Sequence, residues 1–298
     1  MDVGAPKFLQ GVTLPLQIQK ILARDTPVLA AALALEISTA RIEVQCLLQK
    51  VLHVARVYLL AHPERSLTAA EFALYDELLQ RRLKGEPIAY ILGEREFFGL
   101  SFKVTPATLI PRPDTELLVE LALQRIPQNE RCSVLDLGTG SGAIALAIAH
   151  ASPQAEVLAC DASASALAIA QENADVLGIS NVSFMQSDWF AALANQRFSL
   201  IVSNPPYIAA GDPHLVQGDV RFEPVSALEA GADGLNDIRN IISQASAHLL
   251  PVGWLLLEHG YDQAERVRGL LQLAGFEEVF SACDLAGIER ASGGKLHS

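Results

Sequence analysis

The feature that most constrains the fold of this chain is a buried strand followed at once by a glycine-rich turn and a small-residue helix. The apolar segment Ser133–Leu137 predicts the strand, and Ala143–Ala151 predicts the helix. Glycines at such a turn let the backbone approach a ligand closely. By itself the signal is weak, because the spacing is G-x-G-x-G rather than G-x-G-x-x-G. The turn residues are Gly138, Thr139, Gly140, Ser141 and Gly142.

A second strand, predicted over Ala155–Cys160, ends at an acidic residue. This residue is Asp161, which lies 19 positions after Gly142. A carboxylate at this place in a doubly wound sheet can bind the hydroxyls of a ribose. The same residue is equally consistent with a helix N-cap, because the polar segment Ser163–Ala166 follows it.

A third strand, predicted over Val182–Met185, is followed by a carboxylate and an indole. Asp188 could accept a hydrogen bond from the amino group of an adenine, and Trp189 could cover its ring. Taken alone, a tryptophan is more often a core residue than the wall of a ligand site.

The predicted strand Phe198–Val202 is followed by four residues with a specific chemical use. Two prolines end the strand, and the amide that precedes them offers one acceptor and two donors, so it can hold a planar NH2 group. The tyrosine can stack on that plane. A plain turn with a capping Asn is the alternative. Because open α/β sheets bind ligands at the carboxyl ends of their strands, the strand ends together predict one site. The four residues are Asn204, Pro205, Pro206 and Tyr207.

In this order, the strand ends resemble the motifs of class I methyltransferases that use S-adenosylmethionine. Further segments resemble one family, the peptide-chain release factor glutamine N5-methyltransferases of the PrmC/HemK type, from about residue 38 to about residue 290. The resemblance implies an α/β, Rossmann-like domain with a mostly parallel seven-stranded sheet. It also implies a methyl transfer to the glutamine of the Gly-Gly-Gln motif in bacterial class-1 release factors. The further segments are Gly85–Tyr90, Leu109–Glu116, Asp212–His214, Gly218–Pro224 and Leu255–Gly260.

The resemblance assigns expected roles to the strand-end residues. Asn204, Pro205 and Tyr207 are the expected catalytic residues, and with Pro206 they form the expected substrate site. A glutamine amide is a poor nucleophile, because its lone pair is delocalised into the carbonyl. We expect the Asn204 carbonyl oxygen and a main-chain carbonyl near Pro205 to accept the two amide hydrogens and so favour positive charge at nitrogen. The expected cofactor-binding residues are Gly138, Thr139, Gly140, Ser141, Gly142, Asp161, Asp188, Trp189 and Asn204.

Two arginines and a polar loop have open interpretations. The segment 208–224 has few regular signals and predicts a loop beside the site, which could be a lid or a docking surface. The resemblance makes Arg112 and the loop 211–224 possible substrate contacts. Ion pairs of Arg112 and Arg221 around this loop are an equally good interpretation.

The pattern predicts three regions. Apolar residues recur with a helical period between Ile42 and Leu60, and Thr68–Glu71 is a capping box, so residues 1–85 predict a small all-α helical-bundle domain. The resemblance implies that this domain helps to dock the substrate. Alternation around a glycine in Phe97–Val104 predicts a β-hairpin, which makes residues 86–110 a linker. Residues 111–298 are the expected methyltransferase domain, with later strands at Gly253–Glu258 and Phe276–Ala282 and a flexible tail at Ser292–Ser298.

Composition excludes several classes of protein. Residues 111–298 hold 10 Lys and Arg against 23 Asp and Glu, whereas residues 1–110 hold 12 against 11. An acidic domain disfavours duplex DNA or bulk RNA as a partner, so a protein or small-molecule substrate is expected. The longest apolar run, Val28–Leu35, is too short for a membrane span, and no signal peptide is evident. Four cysteines without C-x-x-C spacing and seven scattered histidines predict a cytoplasmic protein without a metal site. His259 is expected to be a structural residue at a strand end.

Four alternatives remain at this stage. A ribosomal-protein glutamine methyltransferase shares the Asn-Pro-Pro-Tyr sequence, but Pro111–Glu116 resembles the release-factor type. Adenine-N6 DNA methyltransferases also hold a conjugated NH2 group, but this chain has no basic stripe. A cofactor-binding module without catalysis would predict a damaged site. A nicotinamide oxidoreductase would share the fold class, but the glycine spacing and Asn204–Tyr207 count against it.

Overall fold

The computed structural model describes residues 16–127 and 130–297 and divides the chain into two compact units. The units are Met1–Leu92 and Gly93–Ser298. The first 15 residues of the predicted helical domain lie outside the described residues. None of the described helices is long and apolar enough to cross a membrane.

The first unit is helical, as predicted. Its apolar core is made of residues between Ile18 and Ile91, so the unit has a core of its own. Thr68 accepts from the backbone N–H of Glu71, and the Glu71 carboxylate accepts from the backbone N–H of Thr68, which confirms the capping box. A buried ion pair joins Arg82 to Glu43 at 2.8 Å. The helices are α1 (Ile18–Leu33), α2 (Ile37–Leu52), α3 (Arg56–Ala61), α4 (Ala69–Leu83) and α5 (Ile88–Leu92).

The second unit begins with the predicted hairpin. Strands β1 (Glu94–Phe97) and β2 (Leu100–Lys103) pair in antiparallel fashion around a turn at Phe98 and Gly99. The hairpin is anchored to its own unit, because the Asn173 side chain accepts from Lys103 N at 2.7 Å and donates to Lys103 O at 3.1 Å.

A seven-stranded sheet forms the rest of the second unit and confirms the predicted fold class. The strand order is β5-β4-β3-β6-β7-β9-β8. The strands β3 to β7 are parallel, and β9 runs antiparallel to both of its neighbours. Because β3 lies between β4 and β6, the order reverses at β3, which is where such sheets bind ligands. The strands are β3 (Cys132–Leu137), β4 (Ala155–Asp161), β5 (Val182–Gln186), β6 (Phe198–Ser203), β7 (Leu249–Glu258), β8 (Phe276–Cys283) and β9 (Glu289–Leu296).

Helices cover both faces of the sheet. One apolar core contains residues of the helices at 116–123, 143–151 and 164–177. A second core contains residues of the helices at 236–248 and 264–273. With helices packed on both faces, the central strands read as continuous apolar runs rather than alternating ones. The helices are α6 (Glu116–Leu123), α7 (Ala143–Ala151), α8 (Ala164–Leu177), α9 (Asn236–His248) and α10 (Ala264–Leu273).

The prediction of a flexible tail at Ser292–Ser298 was wrong for residues 292–296. Strand β9 inserts between β7 and β8, and Ser292 is fully buried. Small residues are required at this place: a Cβ at Gly293 would lie 2.5 Å from Leu256 Cδ2. Its sequence predicts flexibility because Ser and Gly have low strand propensity. Packing between β7 and β8 outweighs that propensity here.

Candidate functional site

A cavity of about 500 Å³ opens at the carboxyl ends of β3, β4, β5 and β6. The structure therefore brings most of the predicted strand-end residues to one place. Residues 106–109, Pro224, Ser226 and Ala227 contribute to its wall. The predicted residues that line the cavity are Gly138, Gly140, Asp161, Asp188, Trp189, Asn204 and Pro206.

The glycine-rich turn presents backbone to this cavity. Gly138 and Gly140 both line it and have φ values of 73° and 57°. Residues with a side chain rarely adopt this left-handed backbone conformation, so glycine is the residue that fits here. A Cβ at Gly140 would meet no protein atom within 4 Å, so the space beside this backbone is open.

The other three residues of the turn do not line the cavity. Thr139 is buried and donates a hydrogen bond to Asp136 Oδ2 at 2.6 Å. Ser141 is buried too, and Gly142 allows close packing, because a Cβ there would lie 3.1 Å from the Cβ of Ala170. These residues hold the turn in shape.

Asp161 lies at the end of β4 and anchors two backbone groups. Its Oδ2 accepts from Gly140 N at 2.9 Å, and its Oδ1 accepts from Ser163 N at 2.8 Å. The N-cap of α8 is Ser163, whose hydroxyl accepts from Ala166 N at 3.2 Å. Because each carboxylate oxygen can accept more than one hydrogen bond, Asp161 can still accept from hydroxyls in the cavity.

Trp189 forms one side of the cavity, in a left-handed conformation with φ 47°. Its ring lies against Gly138, where a Cβ would be 3.5 Å from it. The Ser187 hydroxyl donates to Trp189 O at 2.7 Å and holds this turn. Asp237, at the start of α9, accepts a hydrogen bond from Trp189; burial raises the pKa of Asp237, and this bond lowers it. Asp188 is exposed beside the ring.

Asn204 lies in the wall between the large cavity and a smaller one of about 110 Å³. Its Nδ2 donates to the Thr115 hydroxyl at 3.2 Å. With Nδ2 engaged in this way, Oδ1 is the amide atom left to accept from a ligand. The smaller cavity is mostly apolar; its lining residues are Leu109, Arg112, Asn204, Tyr207, Ile208, Val220, Ala227 and Leu228.

Tyr207 lines the smaller cavity and is held at both ends. Its backbone carbonyl accepts from Gln263 Nε2 at 2.9 Å, and its hydroxyl lies 3.4 Å from Glu258 Oε1. Burial raises the pKa of Tyr207, so the phenol is neutral. Glu258 itself is 3% exposed, and burial raises its pKa to about 7. Pro205 is buried between Asn204 and the rest of the turn.

Arg112 forms an ion pair with Glu223, whose side chain is fully buried. Glu223 Oε2 also accepts from Ile110 N at 3.2 Å. This pair fixes the segment before α6 to the loop that follows Asn204–Tyr207. It matches the ion-pair interpretation of Arg112, and the contact with substrate stays a prediction.

Three polar residues of the site were missed in the sequence. Thr115 stands in the Pro111–Glu116 segment but had no role assigned, and Asp237 had no signal, because it begins a helix far along the chain. Glu258 could have been predicted, because it is the last residue of strand β7, which pairs with β6. Ser203, just before Asn204, is paired with Leu257, just before Glu258.

The polar groups of the site fit S-adenosylmethionine. The backbone at Gly138 and Gly140 lines the cavity and suits its methionine part, Asp161 can accept from ribose hydroxyls, and Trp189 offers a flat surface for adenine. The fold and the site together define a class I methyltransferase that uses S-adenosylmethionine.

Comparisons with known proteins agree. The family model "Methyltransferase small domain" matches residues 114–218, and the model "PrmC N-terminal domain" matches residues 28–93. The release factor glutamine methyltransferase of Escherichia coli K12 is 50% identical over 257 residues, which are 86% of this chain and 92% of that protein. The Bordetella pertussis protein of the same name is 53% identical, over 86% of this chain and 95% of that one. The chain therefore belongs to the release factor glutamine methyltransferase family.

A solved structure shares the fold. The T. thermophilus 16S rRNA N2 methyltransferase, in complex with AdoMet and guanosine, has a TM-score of 0.52 and 22% identity, over 68% of this chain and 50% of that one.

Proposed function

We propose that this methyltransferase transfers a methyl group to the side-chain amide nitrogen, N5, of the glutamine in the Gly-Gly-Gln motif of bacterial class-1 release factors. The observation that carries the proposal is the position of Asn204 in the wall shared by the two cavities. The large cavity is the cofactor site, and the small one is the site of the glutamine side chain. The names of the relatives support the substrate.

In the proposed cofactor site, each group of residues has one task. The backbone at Gly138 and Gly140 holds the methionine part, and the Asp161 carboxylate holds the ribose. Asp188 and Trp189 hold the adenine. Thr139, Ser141 and Gly142 support this turn from behind. When bound, S-adenosylmethionine supplies a methyl group on a positively charged sulfur.

The proposed catalytic role of Asn204 is to orient the glutamine amide. Its Oδ1 accepts one amide hydrogen, and the main-chain carbonyl of Pro205 accepts the other. Both acceptors favour the positive charge that develops on the nitrogen while its bond to the methyl carbon forms and the bond from that carbon to sulfur breaks. Once the methyl group is transferred, the nitrogen releases one of its hydrogens to solvent as a proton. Tyr207 and Pro206 pack on the amide plane and keep water away from it. The nitrogen is then held in line for transfer, at the roughly 3–3.5 Å separation typical of a near-attack arrangement.

The proposed partner is a folded release factor, with the helical domain predicted over residues 1–85 and the loop 211–224 as docking surfaces and without direct contact to nucleic acid. The acidic charge of residues 111–298 supports a protein partner rather than a phosphate backbone. We place the enzyme in the cytoplasm, where release factors act; its four free cysteines suit a reducing compartment.

The experiment is a methyl-transfer assay with labelled S-adenosylmethionine. Release factor, ribosomal protein and DNA are offered side by side, and the products are digested and analysed by mass spectrometry. We expect one added methyl, on the Gly-Gly-Gln glutamine of the release factor. A release factor in which this glutamine is replaced by glutamate is the matched control and should remain unlabelled. Label on ribosomal protein or DNA, or on another residue, would overturn the proposal.

A further inference from the structure

A buried carboxylate lies directly behind the Asn-Pro-Pro-Tyr turn. Glu258 is 3% exposed at the end of β7, beside the end of β6 from which Asn204 emerges. It has only two hydrogen-bond donors among the described residues, both hydroxyls: Tyr207, at 3.4 Å from Oε1, and Thr115; Oε2 has no hydrogen bond of normal geometry. Burying a carboxylate with so little compensation is costly, so its presence calls for a reason.

The Thr115 hydroxyl connects this carboxylate to Asn204. Thr115 is 4% exposed, its Oγ1 accepts from Asn204 Nδ2 at 3.2 Å, and its hydroxyl faces Glu258 and lowers the pKa of that carboxylate. A hydroxyl has one hydrogen to donate. If Thr115 directs that hydrogen to Glu258, its oxygen can only accept from the Asn204 side chain.

We propose that Glu258 is a positioning residue that sets the orientation of the Asn204 amide through the Thr115 hydroxyl. The ionised carboxylate accepts a hydrogen bond from the Thr115 hydroxyl. The Thr115 oxygen is then free only to accept from Asn204 Nδ2, which turns Asn204 Oδ1 toward the ligand. If the hydroxyl donated to Oδ1 instead, Asn204 would present its NH2 group to the NH2 group of the substrate, and two donors would face each other. This inference rests on the acceptor role of Asn204 in the proposed function.

Other charged groups act on the same carboxylate. Asp114 raises the pKa of Glu258, whereas Arg290 and the hydroxyls of Thr115 and Tyr207 lower it, and burial outweighs all of them. The resulting pKa of about 7 means that the carboxylate gains a proton at moderately acid pH. A protonated Glu258 no longer compels Thr115 to accept from Asn204. We therefore expect kcat to rise with pH through the neutral range and then to level off.

The test uses three variants of the full-length protein. Thr115→Val keeps the shape but removes the hydroxyl, and should lower kcat roughly tenfold or more while KM for S-adenosylmethionine changes less than about twofold. Thr115→Ser restores the hydroxyl and should restore most of kcat. Glu258→Gln should lower kcat and abolish the rise with pH, because it cannot ionise. Its matched control is Glu278→Gln on β8, which removes an exposed carboxylate paired with Lys295 and should leave kcat and its pH profile unchanged.

A double-mutant cycle separates positioning from general damage. If Glu258 acts through Thr115, the two substitutions together should cost clearly less than the product of their separate costs. Any of three results would overturn the inference. The first is a double variant whose loss of kcat equals the product of the two single losses. The others are a Thr115→Val variant with normal kcat and a Glu258→Gln variant whose kcat still rises with pH.

A second readout does not depend on which substrate is methylated. In protein labelled with 15N-asparagine, the side-chain NH2 signal of Asn204 is assigned by its loss in Asn204→Ala. We expect one of its two hydrogens to be protected from exchange in the wild type and in Thr115→Ser, and unprotected in Thr115→Val and Glu258→Gln. An unprotected NH2 group in the wild type would overturn the inference even if the release factor is the substrate. A protected one would support it even if the substrate proves to be another amide.

Discussion

At the scale of single residues, Asn204 combines two constraints. Its Nδ2 is held by Thr115, and the residue itself lies in the wall shared by two cavities. An amide in that place can accept from a bound NH2 group without being able to take its proton. The catalytic effect proposed for it is therefore electrostatic rather than general base catalysis.

Replacing Asn204 with Ala tests this effect. We expect kcat for the release factor to fall by about 10²–10³, the usual cost of removing one oriented hydrogen-bonding group from a transition state. The dissociation constant of S-adenosylmethionine, measured by calorimetry, should stay within about twofold, because Asp161 and Trp189 are unchanged. Normal turnover in a variant with an unchanged melting temperature would refute the role of Asn204.

Asp136 predicts an unusual dependence of stability on pH. It is fully buried, and burial raises its pKa from 3.8 to about 7. The native state therefore holds a proton that the unfolded state releases, so the free energy of unfolding should fall as pH rises from about 4 to about 7. One such proton changes that energy by up to about 1.4 kcal/mol per pH unit.

Urea unfolding between pH 5 and pH 8 measures this slope. Asp136→Asn should make it shallower by up to about 1.4 kcal/mol per pH unit, because this group no longer ionises, whereas Glu258, whose pKa burial also raises to about 7, still contributes. The exposed Asp175→Asn in α8 is the control and should leave the slope as in the wild type. A wild type that becomes more stable from pH 5 to pH 7, with no effect of Asp136→Asn, would contradict the prediction.

At the scale of elements, the sequence revealed the parallel strands because each is a short apolar run. The runs at Ser133–Leu137 and Phe198–Val202 are almost the observed β3 and β6. Strand β9 escaped prediction, because the run Ser292–Gly294 forms a strand only through its neighbours β7 and β8.

The residues of the site also differ in whether the local sequence pattern could predict them. Residues that follow a strand, such as Asp161 and Asn204, could be placed from local pattern, since the ends of parallel strands meet at one edge. Thr115 and Asp237 could not, because Thr115 precedes α6 and Asp237 lies in the first turn of α9, far from the strand ends in sequence, and both reach the site only through packing.

The turn at Gly234 supports the Asn-Pro-Pro-Tyr turn from outside the site. Gly234 has φ 71°, and a Cβ there would lie 2.3 Å from Tyr207 O and 2.8 Å from Gln263 Nε2. Gly234→Ala should therefore displace Tyr207, lower the melting temperature by several degrees and lower kcat. Gly178→Ala is a matched control: φ is 68°, but its Cβ meets nothing within 4 Å, so it should cost about 1–2 kcal/mol of stability and leave kcat normal. Equal effects of the two substitutions on kcat would contradict this account.

At the scale of the whole molecule, the residues that the structure describes form one apolar core in the helical unit and two in the methyltransferase unit. The helical core lies entirely between Ile18 and Ile91, and the other two lie entirely between Phe97 and Leu296. Each unit therefore has what it needs to fold by itself. All the described residues that line the large cavity and the smaller cavity belong to the second unit.

This separation allows the proposed docking role of the helical unit to be tested by truncation. A fragment that begins at Gly93 keeps both cavities, so it should bind S-adenosylmethionine with unchanged affinity and methylate a short Gly-Gly-Gln peptide as fast as the full chain. On folded release factor, KM should rise roughly tenfold or more, because the contacts assigned to the helices are lost. Adding the separate fragment 1–92 should not restore KM, since the effect depends on covalent linkage. Should the truncated enzyme methylate the folded factor as efficiently as the full chain, docking would belong to the loop 211–224 alone; should it lose the peptide reaction while still binding the cofactor, the helical unit would have a part in the chemical step.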